Sequence, residues 1–220
     1  MAVPRLGPLV RRGVRYGGAL LVIASLQFLA AMAIVQLDWP GHGYSDVSNY
    51  ISDLGGPQSP LPGVFNHSIQ LLGVLGAAGT VLMRSAFPPK RAAKAGLFLL
   101  VVAEVAAFLV GTFPEGSVAG TTDLHGLWSS ITFLASALAL LALGMAMLRD
   151  TRWDGYRAYT FLSGVVTVVA IVLFVENVGG AGVQGALERV VVAPILLWAI
   201  LAGLHLVRMR TFAPSHAVMT

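Results

Sequence analysis

Three residues of this chain stand out because of where they fall in its hydropathy pattern: Glu104, His125 and Arg189. Glu104 lies inside an apolar run, nine residues before its end at Phe113. At about 1.5 Å per helical residue that is a depth of roughly 13 Å. A carboxylate there costs about 3 kcal/mol or more to insert. It must be protonated, paired or beside a wet cavity. Two roles fit: a neutral acid bonding helix to helix, or an acid–base group, which is the default for intramembrane acids.

His125 opens a later apolar run, one turn before Ser129 and near Trp128. An imidazole there is either a satisfied interfacial residue or a proton carrier that needs partners. Asn66, His67 and Gln70 share one helix face by three- and four-residue spacing and are the candidate partners. Asp123 is a third candidate acid. Its alternative is a helix-start acid following a cap at Thr121 or Thr122. Arg189 suits an ion pair with Glu176, Glu188 or Asp123, or a clamp on a phosphate or carboxylate. The candidate catalytic set is therefore Glu104, His125 and Asp123. The candidate binding set is Arg189, Asn66, His67, Gln70, Glu188 and Ser52.

Other chemistries find little footing. The chain has no cysteine, so disulfides, thiolate metal sites and cysteine nucleophiles are excluded. There is no HExxH, no paired histidine on one helix, no GxSxG and no phosphate loop. His42, His67 and His125 share one side with several acids, but their spacing is not that of a metal site. A haem held by His67 and His125 has equally little support. No cofactor is assigned.

These residues must be positioned by membrane helices. Of 220 residues 56% are hydrophobic and 11% charged, and the mean hydropathy is +0.79. A soluble domain carries about twice that charged fraction. Six apolar stretches reach the roughly 20 residues needed to cross a bilayer: Val14–Leu37, Val64–Met83, Ala92–Phe113, Leu124–Leu148, Tyr156–Val175 and Ala186–Val207. Lipid obliges the backbone to bond internally, which makes these helices and the fold an all-α six-helix bundle. One transmembrane domain over 1–220 is expected. The first run is too long for a signal peptide, and its loss would leave five spans.

Charge fixes an expected orientation. Arg5, Arg11, Arg12, Arg15, Arg84, Lys90, Arg91, Lys94, Arg149, Arg152, Arg157, Arg208 and Arg210 all fall on one side, and Arg189 alone on the other. That side is cytoplasmic by the positive-inside rule, with both termini inside a plasma membrane. The pI near 9.9 is thus a topology signal, and nucleic acid is not an expected partner. Membrane lipids, a second copy or a partner membrane protein are. Arginine in excess of lysine suggests a GC-rich bacterial source.

"YSDVSNYISDLGGP", Tyr44–Pro57, lies between the first two spans. Ser45 suits a cap, and Gly55-Gly56-Pro57 a stop. Val47, Tyr50, Ile51 and Leu54 form one stripe, and Asp46, Asn49 and Asp53 the opposite one. The pattern predicts a short amphipathic helix lying at the outer interface. It would be a lid over the space between Glu104 and His125, with Asp46 and Asp53 facing water.

Five blocks in order carry a resemblance: "ISDLGGP" at Ile51–Pro57, "FN" at Phe65-Asn66, "VGTFPEG" at Val110–Gly116, "DLHG" at Asp123–Gly126 and "GALERVVVAPILLW" at Gly185–Trp198. Together they resemble a prokaryotic six-helix membrane family known as domain of unknown function 998, over roughly residues 15–207. The resemblance implies an integral membrane protein with no assigned chemistry. It singles out Ser52, Gly55, Asn66, Pro114, His125, Glu188 and Arg189. The residues themselves suggest a polar pocket open to the outer side. It would serve an enzyme acting on a lipid or isoprenoid by acid–base chemistry. A non-catalytic lipid- or small-molecule-binding accessory protein is the alternative, and a transporter a more distant one.

Overall fold

The computed structural model describes residues 8–209. Arg5, Arg210 and the side chain of His42 lie outside the described residues. Six helices dominate: α1 Pro8–Leu37, α2 Pro62–Met83, α3 Arg91–Thr112, α4 Leu124–Met147, α5 Tyr156–Val175 and α6 Gln184–Arg208. All six are long and apolar enough to cross a membrane. The chain is an all-α, multi-pass membrane protein. The spans expected from the sequence match these helices to within a few residues. The main difference is α1, which is already helical at Pro8, the first described residue, six positions before Val14. The arginines at its start extend the helix beyond the apolar run.

Each helix packs against its neighbours in sequence, and α6 closes back on α1. The result is a ring of six helices. Small residues let the ring close. A Cβ on Gly18 would come within 2.5 Å of Gly203 O, so α1 and α6 meet backbone to backbone. Gln27 Nε2 donates to Ser68 O at 2.9 Å and ties α1 to α2.

The two ends of the ring differ. One end carries the start of α1, the end of α6 and the arginines and lysines at the α2–α3 and α4–α5 junctions; it is called the basic face below. On that side the interior is filled by Met83, Leu140, Leu143, Met147, Trp153 and Leu206. The indole of Trp153 donates to Ala86 O at 3.1 Å, and that of Trp198 to Thr160 Oγ1 at 3.0 Å. Buried indoles need such partners. The other end, the acidic face, is not filled in this way. A second cluster of Phe28, Val35, Ile51, Leu54, Phe65 and Leu196 surrounds a cavity there.

Candidate functional site at the acidic face

The site is organised by the segment after α1. It is not the single amphipathic helix that its periodicity suggests. Ser45 caps one turn, its Oγ accepting from the N–H groups of Val47 and Ser48 at 3.3 and 3.4 Å. The chain then straightens at Tyr50 and resumes as a 3₁₀ helix over Ser52–Gly55. The reason is local competition for the backbone. Asp53 Oδ2 accepts from Tyr50 N–H at 2.9 Å and from Asn49 Nδ2 at 3.0 Å. The hydroxyl of Tyr44 donates to Tyr50 O at 2.9 Å. Ile51 and Leu54 are buried as the stripe predicted, but Val47 is exposed.

Every neighbour holds this segment. Glu188 of α6 accepts the N–H of Ile51 at 2.5 Å, and Ala186 N–H donates to Val47 O at 2.9 Å. Asn66 of α2 donates through Nδ2 to Gly55 O at 3.0 Å. Gly55 permits this, since a Cβ there would come within 2.2 Å of Asn66 Oδ1. Tyr50 meets Phe174 of α5 edge to face, with ring centroids 5.9 Å apart.

Beneath the segment lie two adjoining cavities. The deeper one, about 80 Å³, runs among apolar side chains such as Phe28, Phe65, Leu72 and Val192. The shallower one, about 380 Å³, is bounded by Tyr50, Glu115 and the α4–α5 pair. Ser52, His125, Ser129, Phe133 and Glu188 line both. Glu188 is buried, with 7% of its surface exposed. His125 Nδ1 lies 3.0 Å from Phe113 O. A carbonyl only accepts, so Nδ1 carries the proton and Nε2 is the basic nitrogen of the neutral ring. An acid and a base thus line one cavity, each oriented by a backbone group.

Of the sequence candidates, His125, Glu188 and Ser52 come together here. Glu104 does not join them. Its carboxyl packs on α2, where a Cβ at Gly76 would come within 2.3 Å of it. The expected space between Glu104 and His125 is replaced by one between Glu188 and His125. The segment covers that space, with Ser52 in its wall. The expected partners of His125 are occupied elsewhere. His67 is exposed, with Nδ1 2.6 Å from Gly63 O of its own helix. Gln70 Nε2 donates to Thr112 Oγ1 at 3.3 Å, and Asn66 holds Gly55.

Asp123 is itself the cap of α4, in place of Thr121 or Thr122. Its Oδ1 accepts Gly126 N–H at 3.0 Å, although the residue also borders the shallower cavity. Arg189 pairs with none of the expected acids. Nη2 lies 2.6 Å from Asp46 Oδ1 and donates to Tyr44 Oη at 2.6 Å. Nη1 donates to Asn49 O and Gly185 O, both at 2.9 Å. With four acceptors it is a staple, and Asp46 is a partner and not merely solvated. Successive helical residues point about 100° apart, so Glu188 faces the cavity while Arg189 grips the segment from outside.

Glu115, Tyr50, Thr132 and Phe133 also line the cavities, and no motif or spacing in the sequence marks them as lining residues. Only Ser129, one turn beyond His125, carried a spacing signal. Glu115 lies between α3 and α4, half buried. Burial pushes its carboxyl up to about 7, helped by Asp53 within hydrogen-bonding reach and by Asp123. Among the described residues, no group of three His, Asp or Glu side chains is arranged to hold a metal.

No curated protein and no solved structure matches the chain. Residues 22–205 do match a family model, described as Protein of unknown function (DUF998). That match takes in all of α2 to α5 and every residue placed around the two cavities, and the chain belongs to this family.

Proposed function

We propose that this protein is a membrane enzyme acting on a lipid or isoprenoid by acid–base chemistry, with Glu188 and His125 giving a proton to the ligand and taking one from it. The observation that carries the reading is the rim of the shallower cavity. Leu134 of α4 and Val175 of α5 border it, and both are largely exposed on the outside of the bundle, at 53% and 72%. A ligand therefore reaches the acid and base sideways from the bilayer. The deeper apolar cavity receives hydrocarbon, and Ser52, Ser129 and His125 meet the polar end.

The charge asymmetry supports a cytoplasmic basic face in the plasma membrane, which puts the cavity on the extracytoplasmic side. The cysteine-free sequence makes this testable. A single cysteine at Ser117 should react with a membrane-impermeant maleimide in intact cells, and one at Arg91 should not.

Comparing lipid extracts of a deletion strain with the same strain expressing wild type, Glu188→Gln or His125→Ala tests the enzyme. Wild type alone should restore the missing product. Identical lipid profiles with and without the gene would overturn catalysis. One feature favours the second reading, a non-catalytic lipid-binding subunit. The hydrogen bonds of Glu188 and His125 both run to backbone groups, Ile51 N–H and Phe113 O, and hold the pair without linking it. A lipid that co-purifies stoichiometrically while lipid profiles stay unchanged would favour that subunit.

A further inference from the structure

A further cavity opens at the opposite end of the molecule, on the basic face between α2 and α3. Its volume is about 650 Å³, within the range of small-molecule sites. Its upper wall is cationic, with Arg84 after the last turn of α2 and Lys94 in the first turn of α3. Both are exposed. Among the described residues neither has an acidic partner. Arg152 also borders it but is held by Asp150 through a bidentate pair, the shortest contact being 2.6 Å. Pro88 and Pro89 stiffen the rim.

The lower wall is apolar and continues onto the membrane-facing surface. Val81, Leu97, Phe98 and Val101 form it, and Phe98 is 68% exposed. At the same wall stands Thr80, 1% exposed, whose hydroxyl has no hydrogen-bond partner among the described residues. Buried hydroxyls are nearly always paired, and this one borders a cavity already lined by two free cations.

We infer that this cavity is a binding site for one anionic phospholipid of the leaflet at the basic face. Arg84 and Lys94 take the phosphate, Thr80 supplies a hydroxyl to the headgroup or glycerol oxygens, and an acyl chain lies along Leu97, Phe98 and Val101. Three features favour a lipid over a free anion. The cations sit at the headgroup level of spanning helices. The wall below them is hydrocarbon-like. A basic pocket between transmembrane helices on one leaflet is the usual setting for acidic headgroups.

The test is native mass spectrometry of the full chain in detergent with equimolar phosphatidylglycerol and phosphatidylcholine. Phosphatidylglycerol should be retained at least about fivefold over phosphatidylcholine. Arg84→Gln/Lys94→Gln, both exposed positions, should erase the preference without lowering the melting temperature of the delipidated protein. Thr80→Val should lower retention at least about twofold, because the isostere keeps the packing and removes the hydroxyl. Inorganic phosphate should neither displace phosphatidylglycerol nor shift the melting temperature. Equal retention of the two lipids overturns the site, as does a double variant that keeps wild-type preference. Displacement by phosphate would overturn the lipid assignment in favour of a free anion. Unchanged retention in Thr80→Val would overturn the binding geometry.

Discussion

Arg189 and Asp46 meet at 2.6 Å, yet the two residues are not equal partners. Asp46 has 64% of its side chain exposed and Arg189 only 20%. An ion pair that wet is worth at most about 1 kcal/mol. The hold of Arg189 on the segment comes instead from Tyr44 Oη, Asn49 O and Gly185 O. Asp46→Asn should therefore cost less than about 1 kcal/mol, and Arg189→Ala about 2–3 kcal/mol. Unfolding in detergent measures both. Equal losses would show that the ion pair dominates.

Glu188 has two separable tasks. Its Oε2 seats Ile51 N–H, and its ionisable proton serves the proposed chemistry. Glu188→Gln keeps an acceptor oxygen and should melt within a few degrees of wild type while losing the lipid product. Glu188→Leu should in addition free the Ile51 amide to exchange with solvent. Wild-type product from Glu188→Gln would remove Glu188 from the reaction.

Gly76 and Glu104 form a coupled pair. A Cβ at Gly76 collides with the Glu104 carboxyl, so Gly76→Ala should cost about 1–3 kcal/mol. Glu104→Ala in the same chain should restore at least about half of that, a coupling read from a double-mutant cycle. Glu104→Gln should leave the lipid product unchanged, because the side chain packs on α2 away from His125. Loss of product there would return Glu104 to the mechanism.

Glu115 makes the acidic face sensitive to pH. Its carboxyl titrates near 4.5 when unperturbed and near 7 in the fold. The folded chain thus binds the proton more tightly. The stabilisation is full below about 4.5 and is lost as pH rises through about 7. Above that, Glu115 is charged beside Asp53, Asp123 and the segment. Protection of the amides at Ser52–Gly56, taken relative to their intrinsic exchange rates at each pH, should fall across this window. Glu115→Gln should flatten the profile. An unchanged profile in that variant would assign the dependence to another group.

Much of this architecture was legible in the chain. The apolar runs gave the six helices, because backbone in lipid has few alternatives to a helix. The charges gave the basic and acidic faces. The chemistry was less legible. Depth along a helix could be counted for Glu104, but its direction around the helix could not, and that direction sends it to Gly76. The position of Arg189 in the sequence points to helix-end acids as partners, whereas its partner is Asp46 in a loop. The segment after α1 has a helical stripe, yet Asp53 and Tyr44 claim the backbone of Tyr50 and interrupt the helix. The contacts of Glu104 and Arg189 join residues far apart in sequence, and those of Asp53 and Tyr44 are local but follow no helical periodicity.

The bond between Ile51 N–H and Glu188 spans 137 positions, and this separation sets an order of assembly. Residues 44–56 are synthesised before α6 exists. Until the sixth helix inserts, Val47, Asn49 and Ile51 lack the backbone partners that α6 gives them, and the cavity has no Glu188. A nascent chain of five helices therefore has neither a closed ring nor a site. Insertion of α6 completes both at once, closing the ring on α1 and bringing Glu188 to the cavity wall.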